Sequence, residues 1–446
     1  MSWTLLNPNI KEETEKIIFD NTKENTTFSK GDLYSYLPFY FWKLLNKNGK
    51  VGLITSNSWL GTEWGRIFRA TLNKFYHIEN IIVSGQGRWF KNADVVTTIM
   101  ILNKRTSINE LDFDEVTNFI TIKNDLSNLE IQEIIEDIII DNPNKNIEIQ
   151  KYKTQELFEL EFSWNALFSN ISWLKKIENK LVPASSLFDI NRGERRGWDP
   201  MFYPESSNSI EKDYIKPVLK SSREIDKLVT SADSEAFCCN KSISKITELK
   251  HSGALNWIKK FEHEVNGKNK PLPEVLKRNG CHWYEMKDET MADFVASMNF
   301  DKRLFIARLN TRSFVNQRLT RFTAKNNDLD LDLIHALLNS TLGIFFIESI
   351  GFGRGLGALD LSSTRMKNNL KMLNPQLLSD GQKTKIKECF NKLKQRKILP
   401  ILEELEKTDR KDLDKIILDS FGILNYKDQI ESALKNLYEI RMNAKS

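Results

Sequence analysis

The sequence predicts an α/β unit followed by a mixed α+β domain and a helical C-terminal region. Three observations carry this. Helical and non-alternating apolar segments take turns through the first 104 residues. The composition becomes loop-rich and aromatic from Trp164 to Thr323. Beyond Leu378 nearly every residue falls in a charged amphipathic pattern of helical period. Helix–strand alternation of the first kind implies a sheet covered by helices.

Residues 1–30 are polar, with one amphipathic stretch from Ile10 to Phe19, and read as a surface segment. Apolar residues from Asp32 to Leu45 keep helical spacing except at Pro38, where the missing N–H predicts a kink or a helix start. Asn48-Gly49 suits the turn that ends this helix. VGLIT (51–55) does not alternate and reads as a strand buried on both faces. Glu63 to Phe75 is a second amphipathic helix, and IENIIVS (78–84) and VVTTIMIL (95–102) are further strands. Residues 105–160 turn acidic and isoleucine-rich, as in SNLEIQEIIEDIIIDN, and are expected as strands and short helices bridging two domains. Such a segment suits phosphate poorly. Asp328 to Ile350 reads as one helix, followed by the glycine-rich GFGRGLG (351–357), and four amphipathic segments start near Asp380, Ile398, Lys411 and Lys427. The expected division is 1–104, 105–163, 164–378 and 379–446.

A chain of 446 residues has room for two or three domains, each with its own core. No apolar run reaches the length of a membrane span, and MSWTLLNPNIKEETEK lacks the basic start and apolar centre of a secretion signal, so a cytoplasmic chain is expected. Four cysteines make no disulfide framework. Cys238 and Cys239 are adjacent, Cys281 precedes His282, and no pair has the CxxC spacing that brings two thiolates to one ion, so reduced thiols and no metal site are expected. The five histidines show no HExxH, and no GxSxG is present.

A net charge of +5 is only mildly basic; its distribution says more. RLFIARLNTRSFVNQRLTRF (303–322) carries five arginines and no acid, with Phe305, Phe314 and Phe322 interleaved. Arg192, Arg195 and Arg196 cluster beside Trp198 in a glycine-bounded loop. Arginine serves both phosphate clamping and bidentate guanine reading. Double-stranded DNA is therefore the expected partner, contacted by Arg192, Arg195, Arg196, Trp198, Arg308, Arg312, Arg318 and Arg321. GFGRGLG follows a helix and ends without Lys-Ser/Thr, which argues against a nucleotide loop and for close backbone packing or a turn beside DNA, with Arg354 toward phosphate.

The blocks GDLYSYL (31–37), GKVGLITSNSWL (49–60) and RWFKNADVVTTIMIL (88–102) resemble, in order and spacing, the later motifs of adenine-specific amino-group DNA methyltransferases of restriction-modification systems. The resemblance covers about residues 30–104. It implies a partial Rossmann-like methyltransferase half-domain, S-adenosylmethionine as methyl donor and the adenine amino group as acceptor. In that family a (D/N)LY-x-x-(F/hydrophobic) helix start lies against the cofactor pocket. Asp32, Leu33 and Leu37 fall on those positions, Leu37 standing where the family often has Phe. An aromatic residue before the family's final hairpin stacks on the extruded adenine, and Phe90 occupies that position with Trp89 beside it. Ser56, Asn57 and Ser58 end a strand where α/β enzymes place ligand loops, while Trp59 and Leu60 are expected to pack under the sheet. SSLFDINRGERRGWDPMFYPE (185–205) and YIKPVLKSSREI (214–225) resemble the start of a target-recognition domain in the same proteins, and LDKIILDSFGILN onward resembles their closing helical region.

In the family, a cofactor glycine loop (FxGxG-like) and the tetrapeptide NPPY or NPPW precede these blocks; neither occurs in this sequence. No catalytic residue is expected in this chain. The expectation is a carboxy-terminal portion, inactive alone, completed by a polypeptide that supplies the amino-terminal half. MSWTLLNP falls where the family's tryptophan-rich stretch follows the tetrapeptide. A truncated reading frame and a non-catalytic DNA-specificity subunit are the alternatives.

Overall fold

The computed structural model describes residues 8–28, 31–90, 96–108, 111–159, 164–194, 197–205, 208–286, 290–353 and 357–443. Helix α1 (Pro8–Thr22) opens the chain. The segment expected to run along the surface instead puts Ile17, Ile18 and Phe28 in the core. The Phe28 ring lies 5.3, 5.5 and 5.7 Å from those of Tyr36, Phe39 and Phe68. Helix α2 (Leu37–Leu44) carries Pro38 in its first turn, where no N–H partner is needed. Strand β1 (Lys50–Ser56), helices α3 (Ser58–Gly61) and α4 (Glu63–Phe75), and strands β2 (Tyr76–Ser84) and β3 (Thr97–Lys104) follow in the expected order. The acidic segment, expected as a connection, supplies β4 (Val116–Ile122), α5 (Ile131–Ile139) and β5 (Ile147–Lys153) to the same sheet. The order is β1-β3-β2-β4-β5, with β2 and β4 parallel and the other pairs antiparallel.

One face of this sheet carries Met100, Ile81 and Phe119, fully buried beneath α4 residues Phe68, Leu72 and Phe75. On the other face the register aligns Ile54, Ile99, Ile82 and Ile120 in one row. Helix α5 covers the far end of that row through Ile134 and Ile138. VGLIT is not buried on both faces: among the described residues β1 is an edge strand paired only with β3, and Ile54 is 61% exposed. The physical reason is that no described element lies beyond β1 or over Ile54. Between β1 and β2, α3 and α4 meet closely because residue 65 is glycine; a Cβ there would sit 2.1 Å from the Trp59 carbonyl oxygen. Trp59 is fully buried, as expected, and donates through Nε1 to Thr98 Oγ1 at 3.1 Å. The buried Arg69 guanidinium donates to the carbonyls of Trp59 and Leu60 at 2.6 and 2.7 Å, and burial pushes its pKa down to about 9.

A second, seven-stranded sheet contains β6 (Phe188–Arg192), β7 (Ile215–Leu219), β8 (Val229–Thr230), β9 (Ser234–Phe237), β10 (Ala292–Ser297), β11 (Ala307–Val315) and β12 (Leu319–Ala324). Its order is β9-β7-β11-β10-β12-β6, with β8 pairing β11. Helices at 243–248, 252–262 and 272–275 enclose a separate apolar core against it. The helix expected from Asp328 to Ile350 is two, α6 (Leu331–Leu338) and α7 (Thr341–Ile350), bent by 63°. The Asn339 amide turns inward to the Ile306 carbonyl at 2.9 Å, and Ser340 caps the new helix by accepting from Gly343 N. Four helices close the chain: α8 (Asp380–Gln395), α9 (Ile401–Glu406), α10 (Thr408–Ser420) and α11 (Lys427–Asn443). One continuous core joins the first sheet, the second sheet and these helices. Among the described residues no single helix is long and apolar enough to cross a membrane; the bent α6–α7 pair passes by composition, and every residue of α7 is buried.

Candidate functional site

The pairings Ser56–Thr97 and Val83–Thr98 set the carboxyl ends of β1 and β2 at the same end of the first sheet. Loops leaving this end carry the polar residues the sequence singled out. Asp32 precedes a short 3-10 turn, yet its side chain caps nothing. Instead its Oδ2 accepts from Ser56 Oγ at 3.1 Å and Ser58 Oγ at 2.8 Å. Tyr34, which sequence reasoning passed over, closes the cluster: its hydroxyl lies 3.0 Å from each serine oxygen. Burial raises the Tyr34 phenol above its ordinary range, against the lowering effect of the two serines, so the hydroxyl stays protonated. Leu33 and Leu37 are half-buried.

Asn57, between the two serines, donates through its backbone to Val96 O at 2.9 Å and through Nδ2 to Gly353 O at 3.3 Å. The glycine-rich segment therefore packs by its backbone onto the loop after β1. A second amide, Asn165 Nδ2, reaches Gly351 O at 3.3 Å. Behind this junction Arg441 of α11 forms a two-pronged pair with Glu348 of α7, at 2.6 and 3.0 Å, and also donates to the Gly357 carbonyl. Both side chains of the pair are 3% exposed. Two residues later Asn443 Nδ2 donates to Gly85 O at 2.7 Å, which fixes the start of the loop after β2. That loop turns at Gly87 (φ 110°). It then lays Trp89 against the small isoleucine core and leaves Phe90 48% exposed.

The arginines divide into three groups. Arg308 pairs with Asp332 at 2.8 Å and Arg312 with Asp293 at 3.3 Å. Arg321 is half-buried, donates to Thr323 Oγ1 at 2.7 Å, and has its pKa lowered by burial. Arg192 and Arg318 are exposed at the corner where β6 meets the start of β12, and Arg192 Nε donates there to the Gln317 carbonyl. Gly193 makes that corner possible, since a Cβ would lie 2.2 Å from the Asn316 carbonyl oxygen. The interleaved aromatics do not belong to a surface: Phe305, just before β11, and Phe322 of β12 are buried in the main core, and Phe314 of β11 in the second core. Trp198 donates to Glu264 Oε2 at 3.2 Å and packs on the second core. Arg195, Arg196 and Arg354 lie outside the described residues.

The first sheet, with polar loops gathered at one end, and the second sheet with its helices share their fold with a solved restriction-modification enzyme. Residues 6–90 match the Eco57I restriction-modification methylase family, which extends the resemblance back through α1. Among solved structures the chain is similar to the type IIL restriction-modification enzyme MmeI in complex with DNA, with TM-score 0.52 and 13% identity over 97% of this chain and 55% of that one. It also matches the type IIG restriction endonuclease BpuSI, with TM-score 0.44 and 15% identity over 98% of this chain and 52% of that one. The chain thus spans about half the length of these two structures. No curated protein matches its sequence.

Proposed function

We propose that the chain is the target-base and DNA-recognition portion of a restriction-modification DNA methyltransferase that transfers a methyl group from S-adenosylmethionine to the adenine amino group. The observation that carries this is the arrangement at one end of the first sheet: the Asp32–Tyr34–Ser56–Ser58 cluster at the end of β1 and the exposed Phe90 in the loop after β2 lie at the same end, on either side of β3. It lies within the segment that matches the methylase family.

The acceptor chemistry explains what this portion does and what it leaves to others. The adenine amino nitrogen is a poor nucleophile because its lone pair is delocalised into the ring. Carbonyl and side-chain acceptors of an NPPY-type tetrapeptide redirect it, and this sequence has none. When bound, S-adenosylmethionine supplies an electrophilic methyl on sulfur. Of the residues expected beside it, Leu33 and Leu37 offer an apolar wall, while Asp32 is already engaged by two serines. These residues fit one side of a cofactor pocket, and the glycine loop comes from elsewhere. Phe90 receives the flipped base by stacking, worth about 1–3 kcal/mol. Arg192 and Arg318 anchor phosphate; Arg308, Arg312 and Arg321, with Trp198, Arg195, Arg196 and Arg354, complete the recognition surface, the first two exchanging a carboxylate for DNA.

The open edge of β1 supports a polypeptide partner. An edge strand with exposed Ile54 presents unpaired backbone groups and an uncovered apolar face to an added strand and helix. The partner is a polypeptide carrying the glycine loop and the tetrapeptide. The test is to co-purify the chain with the polypeptide encoded immediately upstream and assay methyl transfer to adenine in duplex DNA. Transfer by the pair, lost with Ile54→Lys, is the expected result. DNA binding without transfer by an intact pair favours a specificity module instead.

A further inference from the structure

We propose that the outward stripe of α5 is a docking surface for a basic amphipathic helix of another polypeptide segment. Ile131, Ile135 and Ile139 stand at i, i+4 and i+8, so they line one side of the helix for about 12 Å. They are 49%, 45% and 75% exposed. The sheet does not require them. Helix α5 already covers Ile82 and Ile120 through a different stripe, Ile134 and Ile138. Isoleucine also brings no helix-forming advantage at an exposed position. A single exposed isoleucine is ordinary; an aligned set marks a surface that is covered in use.

Charge selects the occupant. Residues 124–146 hold six acidic side chains and one basic one. Glu136 borders the stripe beside Ile135 and Ile139, Glu133 and Glu130 continue the acidic face around the helix, and none of the three forms an ion pair among the described residues. Two copies of this chain meeting through the stripe would set these carboxylates against each other, and DNA phosphate would be repelled. A helix with leucine or isoleucine at the same spacing and lysine or arginine alongside satisfies both the apolar line and its acidic border. Helix α5 follows the carboxyl end of β4 and shares its small core with Trp89, but the stripe includes none of the residues assigned to the methyltransferase site, and the inference does not depend on that reading.

The test uses the full chain and two synthetic helical peptides with the same leucine stripe, one with lysine and one with glutamate in its polar positions. Binding is followed by fluorescence anisotropy of the labelled peptide. The lysine peptide should bind saturably and the glutamate peptide should not. The double variant Ile135→Ser/Ile139→Ser, altered only at exposed positions, should weaken the lysine peptide about tenfold with an unchanged melting curve. Equal binding of the lysine peptide to the double variant would mean charge attraction alone and would overturn the proposal, as would no binding of either peptide. Concentration-dependent dimers in sedimentation that the double variant abolishes would overturn it in favour of a second copy.

Discussion

Replacing Arg441 by Met tests whether α11, α7 and the glycine-rich segment form one rigid support for the loop end of the first sheet. Wild-type Arg441 holds both oxygens of Glu348, at 2.6 and 3.0 Å, and the Gly357 carbonyl. With both side chains only 3% exposed, the variant leaves a carboxylate buried without its cation. Removing one partner of such a pair costs about 3–5 kcal/mol, far above the 0–1 kcal/mol of an exposed pair. The double variant Glu348→Gln/Arg441→Met removes both charges and should cost clearly less than the two single changes added together. Urea unfolding followed by tryptophan fluorescence reads all four corners of the cycle. A loss below about 1 kcal/mol for Arg441→Met would refute the reasoning, because water would then be reaching the pair.

Burial pushes the His335 pKa down to about 3, with Nε2 donating to Ile306 O at 3.0 Å. The unfolded chain therefore binds the proton first: stability is unaffected above pH 6.5 and falls below it, by about 2 kcal/mol at pH 5. Denaturation at pH 7 and pH 5 should show this loss in the wild type and lack it in His335→Gln. Gly65→Ala forces a methyl into the Trp59 backbone and should cost about 2–3 kcal/mol or prevent folding, read by calorimetry. Arg192→Glu with Arg318→Glu should weaken duplex binding and flatten the plot of log affinity against log salt by about 2; an unchanged slope excludes both as phosphate contacts.

The elements of the first sheet were legible because periodicity reports burial: α4 runs over its expected residues, and β2 and β3 begin within two residues of theirs. The position of β1 at the edge was not. A non-alternating strand announces that both faces are made to be covered, and says nothing of whether the same chain supplies the cover. The break between α6 and α7 depends on Asn339 finding the Ile306 carbonyl, 33 residues away in sequence. In the candidate site, Asp32, Ser56 and Ser58 were each visible, but an acid before a helix reads as a cap until the distant serines are placed beside it. Tyr34 as their link could have been suspected from its place in the DLY block. The Arg441–Glu348 pair, 93 residues apart, left no local signal. For the arginines, sequence showed the charge and not its neutralisers: Asp332 and Asp293 reach Arg308 and Arg312 only after folding.

The most direct measurement of the central claim places 2-aminopurine at the target adenine of a duplex and follows its fluorescence with the chain and its complementary polypeptide. Extrusion of the base raises the signal, and Phe90 is the exposed ring proposed to hold it. Phe90→Ala should lower the extruded fraction by about 5- to 150-fold in equilibrium terms, the range set by one stacked base, while duplex affinity changes little because the arginine corner is untouched. Turnover should fall in parallel. Unchanged extrusion and turnover in a folded Phe90→Ala protein would contradict the account and move the base pocket elsewhere on the sheet.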